Sequence, residues 1–491
     1  MITLTRANLF KASSLLALDG FLQRLAGLLS TLILARILLP EDFGLVTMAL
    51  MVIWFSTTIT ATGSELYLQS RKELDEADIN SAFTLNILLK LSVFIVLALC
   101  SQFVAQWLDT PELTEVIIAL TVVNAISCFN NPAVVYLRRE NKYKKIVIVG
   151  ITAKLMRIAV TVTTAIIWKN HWALVAGHAT GTLVQFFGGY IIYYYLPKFD
   201  VSRISKQFKF SGWILVQSIL GFSRDQIDVA LTGVVMGKAE LGAYNNIKFI
   251  SNMPISSFLQ PLTSPIINNI RELIDFRDEV RLRVNVTFLF LAILISPAVI
   301  FLTTCHHDVV LIVLGQNWTE YSFLLAAFSS LYFFRAFSLV LNQVIILKDE
   351  VKILFAFDFV MTVLFLLVVF FNSDRDFNVF VWSLVLLEFV SRLLFILYIY
   401  YRYFNSLYSF VKINAVPVAF TFLVCLFIEI PVFDANIYLN LIYTGIIVFF
   451  LSTMFMLIFC LIIREQNEVG YLWNTMKPAF VKSYGKFLKR N

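Results

Sequence analysis

Charge is scarce in this chain. Asp, Glu, Lys and Arg make up 14% of its 491 residues, against about 25% in a soluble domain. Cysteine is scarcer still: Cys100, Cys128, Cys305, Cys425 and Cys460 stand far apart without CxxC spacing, which excludes a disulfide framework and a zinc site. No segment has the glycine pattern of a P-loop or the pattern of a glycosyltransferase fold, so an ATP-driven pump within this chain is excluded.

Apolar residues, by contrast, reach 59% and the mean hydropathy is +0.80. A membrane helix needs only about 20 such residues. The pattern predicts an all-α polytopic membrane protein of about fourteen spans. They fall near 11–38, 43–69, 81–108, 112–137, 146–168, 171–196, 210–236, 240–269, 284–304, 320–347, 352–371, 378–401, 411–428 and 438–463. The first is too long for a signal-peptide core and has no small-residue cleavage site after it. It is read as retained. The 47 Phe residues are read as lipid-facing bulk.

Loop charge sets the expected orientation. Most of the 39 Lys and Arg residues collect in the N-terminal tail, the even-to-odd loops and the C-terminal tail; Arg138, Arg139, Lys142, Lys144 and Lys145 are one such group. The opposite loops hold Lys169, Lys238 and Arg375, with Arg36 at a helix end. The positive-inside rule then places both termini in the cytoplasm. The net charge of +7 is thereby a matter of topology and implies no nucleic-acid partner. The longest outer connection, Cys305 to Thr319, is about fifteen residues and has no room for a catalytic domain. A membrane polymerase or ligase is therefore disfavoured, and no enzyme activity is expected.

Two echoes suggest an internal repeat. Asp42-Phe43-Gly44 matches Glu240-Leu241-Gly242 at an offset of 198. Leu137-Arg138-Arg139-Glu140-Asn141-Lys142 matches Leu347-Lys348-Asp349-Glu350-Val351-Lys352. Six spans separate each pair, so the copies are parallel, as in transporters that rock one lobe against another. The expected organisation is an N-lobe of helices 1–6 (residues 1–200) and a C-lobe of helices 7–12 (201–405). Helices 13–14 (406–465) and a basic cytoplasmic tail (466–491) follow.

The LARILLPEDFG turn at 34–44, the YLRRENKYKK loop at 136–145, the IDVALTGVVMGKAELGAYNN segment at 227–246 and LGQNW at 314–318 carry a family likeness. In that order they resemble the Wzx-type, colanic-acid-exporter-like polysaccharide flippases of the multidrug/oligosaccharidyl-lipid/polysaccharide superfamily. The likeness covers roughly residues 10–400. It implies two six-helix lobes around a V-shaped cavity, with two C-terminal helices able to line a groove for a lipid tail. It also implies flipping of undecaprenyl-pyrophosphate-linked sugar units across the bacterial inner membrane. Expected partners are that lipid-linked oligosaccharide, membrane lipids, and polymerase and chain-length regulator proteins. No cofactor is expected; membrane potential or an H⁺ or Na⁺ gradient would drive transport.

Charges inside the apolar runs are the candidate site. Each costs about 2.5–3.5 kcal/mol at the centre of a membrane helix. Arg24 lies at mid-span one, with Asp19 nearby; Lys154 and Arg157 share one face of span five. A hydrated, cation-lined cavity removes that cost and attracts an anion, and a pyrophosphate suits forked Arg hydrogen bonds. The alternative is internal pairing with Asp19 or Asp225. Arg335 at mid-span ten has no acid on its own helix; it is read as a further cavity residue, with Asp358 as a possible cross-helix partner. Arg224 with Asp228, and Glu388 with Arg392, have i,i+4 spacing and read as structural pairs. Their acids are also candidates for ion coupling, Asp225 foremost because Asp228 has Arg224 on its helix. Lys90, Glu65 and Lys248 are read as reaching a membrane surface. His178 is read as a helix-packing hydrogen bonder, and His306-His307-Asp308 as a solvated loop with no metal. Two alternatives remain: a multidrug-type cation exporter, disfavoured by the basic N-lobe, and a non-transporting scaffold for polysaccharide assembly.

Overall fold

The apolar runs become helices, and among the described residues all regular structure is helical. The computed structural model describes residues 6–61, 63–71, 73–255, 270–372, 375–427 and 437–462. The basic tail at 466–491 and the end of the eighth expected span lie outside them. Eight described helices are long and apolar enough to cross a membrane, or nine if the bent pair Leu113–Phe129 and Pro132–Arg139 is one span. The protein is thus a multi-pass helical membrane protein. Two compact units divide it. The first holds Met1–Ile250, Val313–Tyr321 and Thr362–Phe377; the second holds Ser251–Ile312, Ser322–Met361 and Asn378–Asn491.

In the first unit, α1 (Arg6–Leu34) leads by a short turn into α2 (Pro40–Ile59). Leu39 is extended ahead of Pro40, where the missing N–H of proline costs nothing. The Leu39 N–H donates to the Asp42 carboxylate at 3.0 Å, and Glu41 and Asp42 complement the positive end of the helix dipole. The second expected span is shorter than its apolar run: α2 stops at Ile59, Gly63 takes a left-handed φ of 58°, and α3 (Ser64–Ser70) begins a new direction.

The third span is longer than expected. α4 (Glu76–Trp107) starts five residues before position 81, with extended Asp75 ahead of it and the Asp75 N–H donating to the Asp78 carboxylate at 3.5 Å. α5 (Leu113–Ile126) frays into two short 3₁₀ turns on either side of Asn130 and Asn131, then resumes as α6 (Val135–Arg139), bent by 58°. α7 (Tyr143–Trp168) and α8 (Trp172–Ile192) form a helical hairpin. Its seam is Gly177 and Gly181 on α8. A Cβ at Gly177 would strike Thr161 and the Arg157 carbonyl, and one at Gly181 would press on the Arg157 stem at 3.4 Å. Small residues four apart let membrane helices approach this closely.

α9 (Ile204–Val235) and α10 (Lys238–Pro254) complete the first unit's long helices. The repeat-related glycines meet here. A Cβ on Gly44 would overlap the Lys238 carbonyl, and one on Gly242 would overlap the Pro40 carbonyl. Pro40 and Lys238 are themselves 198 apart, as are Thr47 and Asn245, whose side chains hydrogen-bond at 3.4 Å. The two helix starts therefore cross about a local two-fold axis. Lys238 ties them by donating to Glu112 at 2.8 Å and lying 3.8 Å from Glu41. The Glu112 hydrogen bond, with the surrounding acids, raises the Lys238 pKa. Its contribution is accordingly present below the ordinary ammonium value and fades only as pH climbs through the raised one. Trp318 is buried against this corner, its indole N–H donating to the Ala35 carbonyl at 2.8 Å and its ring edge-on to Phe43.

The second unit has an aromatic core. On α11 (Arg277–Thr304), Val284, Phe288, Leu291 and Ile295 recur on one face and are all buried. Phe288 stacks on Phe337 of α14 (Tyr332–Leu347) at 4.2 Å. The Tyr400 hydroxyl donates to Asn285 at 2.7 Å, so a buried phenol is satisfied. Remaining long helices of this stretch are α15 (Val351–Asn372), α16 (Phe377–Ile399) and α19 (Ile437–Ile462); α12 (His306–Val313), α13 (Phe323–Ser329), α17 (Leu407–Phe410) and α18 (Val416–Phe427) are shorter.

Gly44→Ala and Gly242→Ala should each lower stability by about 1–3 kcal/mol, the range for an overpacked contact. Gly20→Ala, where a Cβ meets nothing within 4 Å, should not. Thermal unfolding of the purified protein distinguishes them.

Candidate functional site

Glycine decides where the cations of α1 and α7 can lie. Gly27 on α1 leaves room for Lys154, whose Nζ is 3.5 Å from the position a Cβ would take there. One turn back, Gln23 packs over Gly150 in the same way, and its amide donates to Asp19 at 2.9 Å. The α1–α7 seam is therefore Gln23 and Gly27 against Gly150 and Lys154. Arg24 sits one turn from Gly27 on α1, half-buried. Arg157 follows Lys154 by one turn, its methylene stem lying on Gly181 of α8. Both α7 cations are half-buried, and among the described residues neither has an ion-pair or hydrogen-bond partner. Asp19, a candidate partner, is engaged by Gln23.

The second cluster corrects the expected pairing on α9. Arg224 binds its neighbour Asp225 at 3.0 Å, and both side chains are more than half exposed. Asp228 is buried and turned toward α10, where Lys248 reaches it at 2.7 Å and the Tyr244 hydroxyl donates at 2.8 Å. A buried carboxylate needs its charge and lone pairs met where water is excluded. α10 supplies both partners, whereas Arg224 stands on the exposed side. Lys248 is accordingly an internal partner and not a surface lysine. Of the two acids, Asp225 is the exposed one.

A second correction concerns Arg335. Its guanidinium grips Glu388 of α16 through Nε and Nη2 at 2.9 and 2.8 Å, and donates from Nη1 to Asn252 at 2.8 Å. Arg392 adds an i,i+4 bond to the same carboxylate at 2.7 Å. The expected Glu388–Arg392 spacing holds, and Arg335 joins the same carboxylate from another helix. A planar fork matches a carboxylate better than a single contact. Asp358 is half-buried on α15.

His178 lies 3.3 Å from the Asn124 amide, bridging α8 to α5. The expected loop at His306-His307-Asp308 is instead the first turn of α12, with His307 exposed and 3.4 Å from Asp308 while His306 and Asp308 are half-buried; among the described residues no three His, Cys, Asp or Glu side chains converge. Glu65 contacts Arg138. Lys90 falls near the middle of the 32-residue α4. The fourth expected span, 112–137, is broken where Asn130-Asn131-Pro132 supplies a turn signal that its apolar composition masked.

Long apolar helices with charged groups set inside them define a class of polytopic integral membrane proteins, and comparison with known proteins places this chain further. The structure resembles the lipid II flippase MurJ in an inward closed conformation, with a TM-score of 0.70 over 89% of this chain and 97% of that one, at 13% identity. It also resembles an inward-facing multidrug resistance MATE family transporter of the MOP superfamily, with a TM-score of 0.55 over 77% and 94%, again at 13% identity. In sequence it is 23% identical to the lipopolysaccharide biosynthesis protein WzxC of Escherichia coli K12, over 69% of this chain and 70% of that one. It is 22% identical to the succinoglycan biosynthesis transport protein ExoT of Rhizobium meliloti, over 58% of each. The family model described as polysaccharide biosynthesis protein matches residues 33–323. The chain belongs to that family, and it is a Wzx-type member of the multidrug/oligosaccharidyl-lipid/polysaccharide superfamily.

The Glu388 cluster gives a stability test. Glu388→Gln leaves two guanidiniums facing each other and should cost about 3–5 kcal/mol, as for a broken buried pair. Arg392→Met, which leaves Arg335 balanced, should cost clearly less in the same denaturant titration.

Proposed function

We propose that this protein flips undecaprenyl-pyrophosphate-linked oligosaccharide units from the inner to the outer leaflet of the bacterial inner membrane. The observation that carries this reading is the pair Lys154 and Arg157. They are two cations one turn apart on an apolar helix, without a carboxylate partner among the described residues. Unhydrated, the two would cost about 5–7 kcal/mol. A hydrated vestibule lifts that cost, and a diphosphate then gains charge-assisted hydrogen bonds from Arg157 and a point charge from Lys154. Arg24, one turn from Gly27, supports the same anion from α1.

Membership in a polysaccharide biosynthesis family, and a relative described as a transport protein, support glycan export as the task. The mechanism is alternating access. The diphosphate is held at α1 and α7 from the cytoplasmic side while the prenyl tail stays in lipid. Fourteen spans, parallel lobes at 1–200 and 201–405, two further helices at 406–465 and cytoplasmic termini fit this reading. An inside-negative potential favours outward movement of an anion by roughly 2.3 kcal/mol per charge per 100 mV. Asp225, exposed beside Arg224, is the coupling acid of choice. Asp228 and Glu388 are held by buried cations, and Arg335 acts chiefly as Glu388's partner. A multidrug-type exporter of organic cations would need acids not already neutralised, and Asp228 is met by Lys248.

In a flippase-deficient strain the wild type should restore surface polymer, and Lys154→Ala and Arg157→Ala should not at matched expression. Normal polymer in both variants would overturn the site. Asp225→Asn should weaken export only when the H⁺ or Na⁺ gradient is present; vesicle transport that ignores both gradients would remove coupling from the account.

A further inference from the structure

A cavity of about 550 Å³ lies within the first unit, at the break in the fourth span. That volume is in the range of small-molecule sites. Its wall comes from α2, α3, α4, α6, α7, α8 and the irregular stretch at 127–134, and its chemistry is unlike a membrane bundle interior. Asn86, Lys90, Ser127, Asn130 and Gln185 all line it.

Two independent features mark it as built for a ligand. The first is Lys90, half-buried near the middle of α4, whose ammonium has no hydrogen-bond or ion-pair partner among the described residues. The second is the broken backbone. Ser127 to Val134 leave the α-helical path directly at the cavity wall. In a membrane protein, irregular backbone between helices is tolerated where it is buried in protein or lines a water-filled cavity, and interrupted helices mark binding sites in transporters. Asn131 holds the break in shape: its amide donates to the Tyr193 carbonyl at 2.6 Å and to Gly189 at 3.3 Å, and its oxygen accepts from the Ala133 N–H. Asn86 covers the end of the first half-helix by donating to the Cys128 carbonyl at 3.1 Å. The side-chain amides of Asn130 and Gln185 have no partner among the described residues.

Amides that both donate and accept, beside one free ammonium, match a polyhydroxylated ligand with a single negative substituent. A lipid tail would leave these groups unsatisfied. An organic cation would meet Lys90. A diphosphate would want more than one uncompensated cation, and Arg138, the other cation on the wall, contacts Glu65. We propose that this cavity binds an acidic sugar of the transported glycan, its carboxylate on Lys90 and its hydroxyls on Asn86, Asn130 and Gln185. The inference rests on the glycan-export reading and gives the sugar a site separate from the diphosphate site on α7.

Equilibrium dialysis of the purified full chain in nanodiscs tests it with labelled glucuronate, glucose and pyrophosphate. Glucuronate should bind, glucose should bind at least about tenfold more weakly, and Lys90→Met should weaken glucuronate about tenfold, the equivalent of about 1.4 kcal/mol. Lys90→Arg should retain glucuronate. Arg157→Gln should leave glucuronate unchanged while losing pyrophosphate. Should Lys90→Met fail to give a monodisperse protein, Gln185→Leu takes its place and should weaken both sugars. Equal binding of glucose and glucuronate, competition of pyrophosphate for the glucuronate site, or no loss on changing Lys90 or Gln185 would overturn the proposal. So would absence of saccharide binding. If glucuronate behaves as stated while pyrophosphate does not bind the wild type, the diphosphate site fails and the sugar site stands.

Discussion

A charge carried into an apolar helix has to be answered, either by a counter-charge or by water. This constraint organises the protein. Three groups of charges meet it in different ways. On α9 and α10, Asp228 is answered by Lys248 and Tyr244. In the second unit, Glu388 is answered twice, by Arg335 and Arg392. On α7, Lys154 and Arg157 keep their charge without an acid beside them among the described residues. The first two arrangements hold helices together. The third leaves positive potential available, and an exporter of anionic lipid-linked glycans has a use for it.

Glycine makes these arrangements sterically possible. Gly27 and Gly150 let α1 and α7 approach closely enough for Lys154 to lie against α1, and Gly181 provides the bed for the Arg157 stem. At the other contact, Gly44 and Gly242 bring two repeat-related helix starts into main-chain contact, each against the other's partner carbonyl at residues 238 and 40. A short sequence echo has become a local symmetry element. Any side chain at either glycine would have to push a backbone away, so that contact is well placed to report on movement of α2 against α10.

Much of this was legible in the chain and some was not, for identifiable reasons. The helical membrane class follows from composition, because length and apolar content leave few alternatives. Arg24, Lys154 and Arg157 are visible because a charge stands out in an apolar run. Partner choice is not visible. Asp228 looked paired with Arg224 at i,i+4, yet burial turned it toward a residue 20 positions on. Arg335 found Glu388 at a separation of 53, and no local spacing encodes such a pair. The start of α4 was misread by five residues, where the helix runs on into polar sequence. The extent of α2 was overread because Gly63 turns the chain while the apolar composition continues.

The central claim is that water and anions reach the α7 cations, and chemical access to that face tests it most directly. Lys154→Cys, in a background without the five native cysteines, can be probed with thiol reagents of opposite charge. Relative to each reagent's rate with a small free thiol, an accessible face still carrying Arg157 should favour the anionic methanethiosulfonate over the cationic one, and pyrophosphate should slow the reaction. A cysteine that reacts with neither reagent, or one that on the same scale favours the cationic reagent, would mean a dry or acidic surround and would contradict the account.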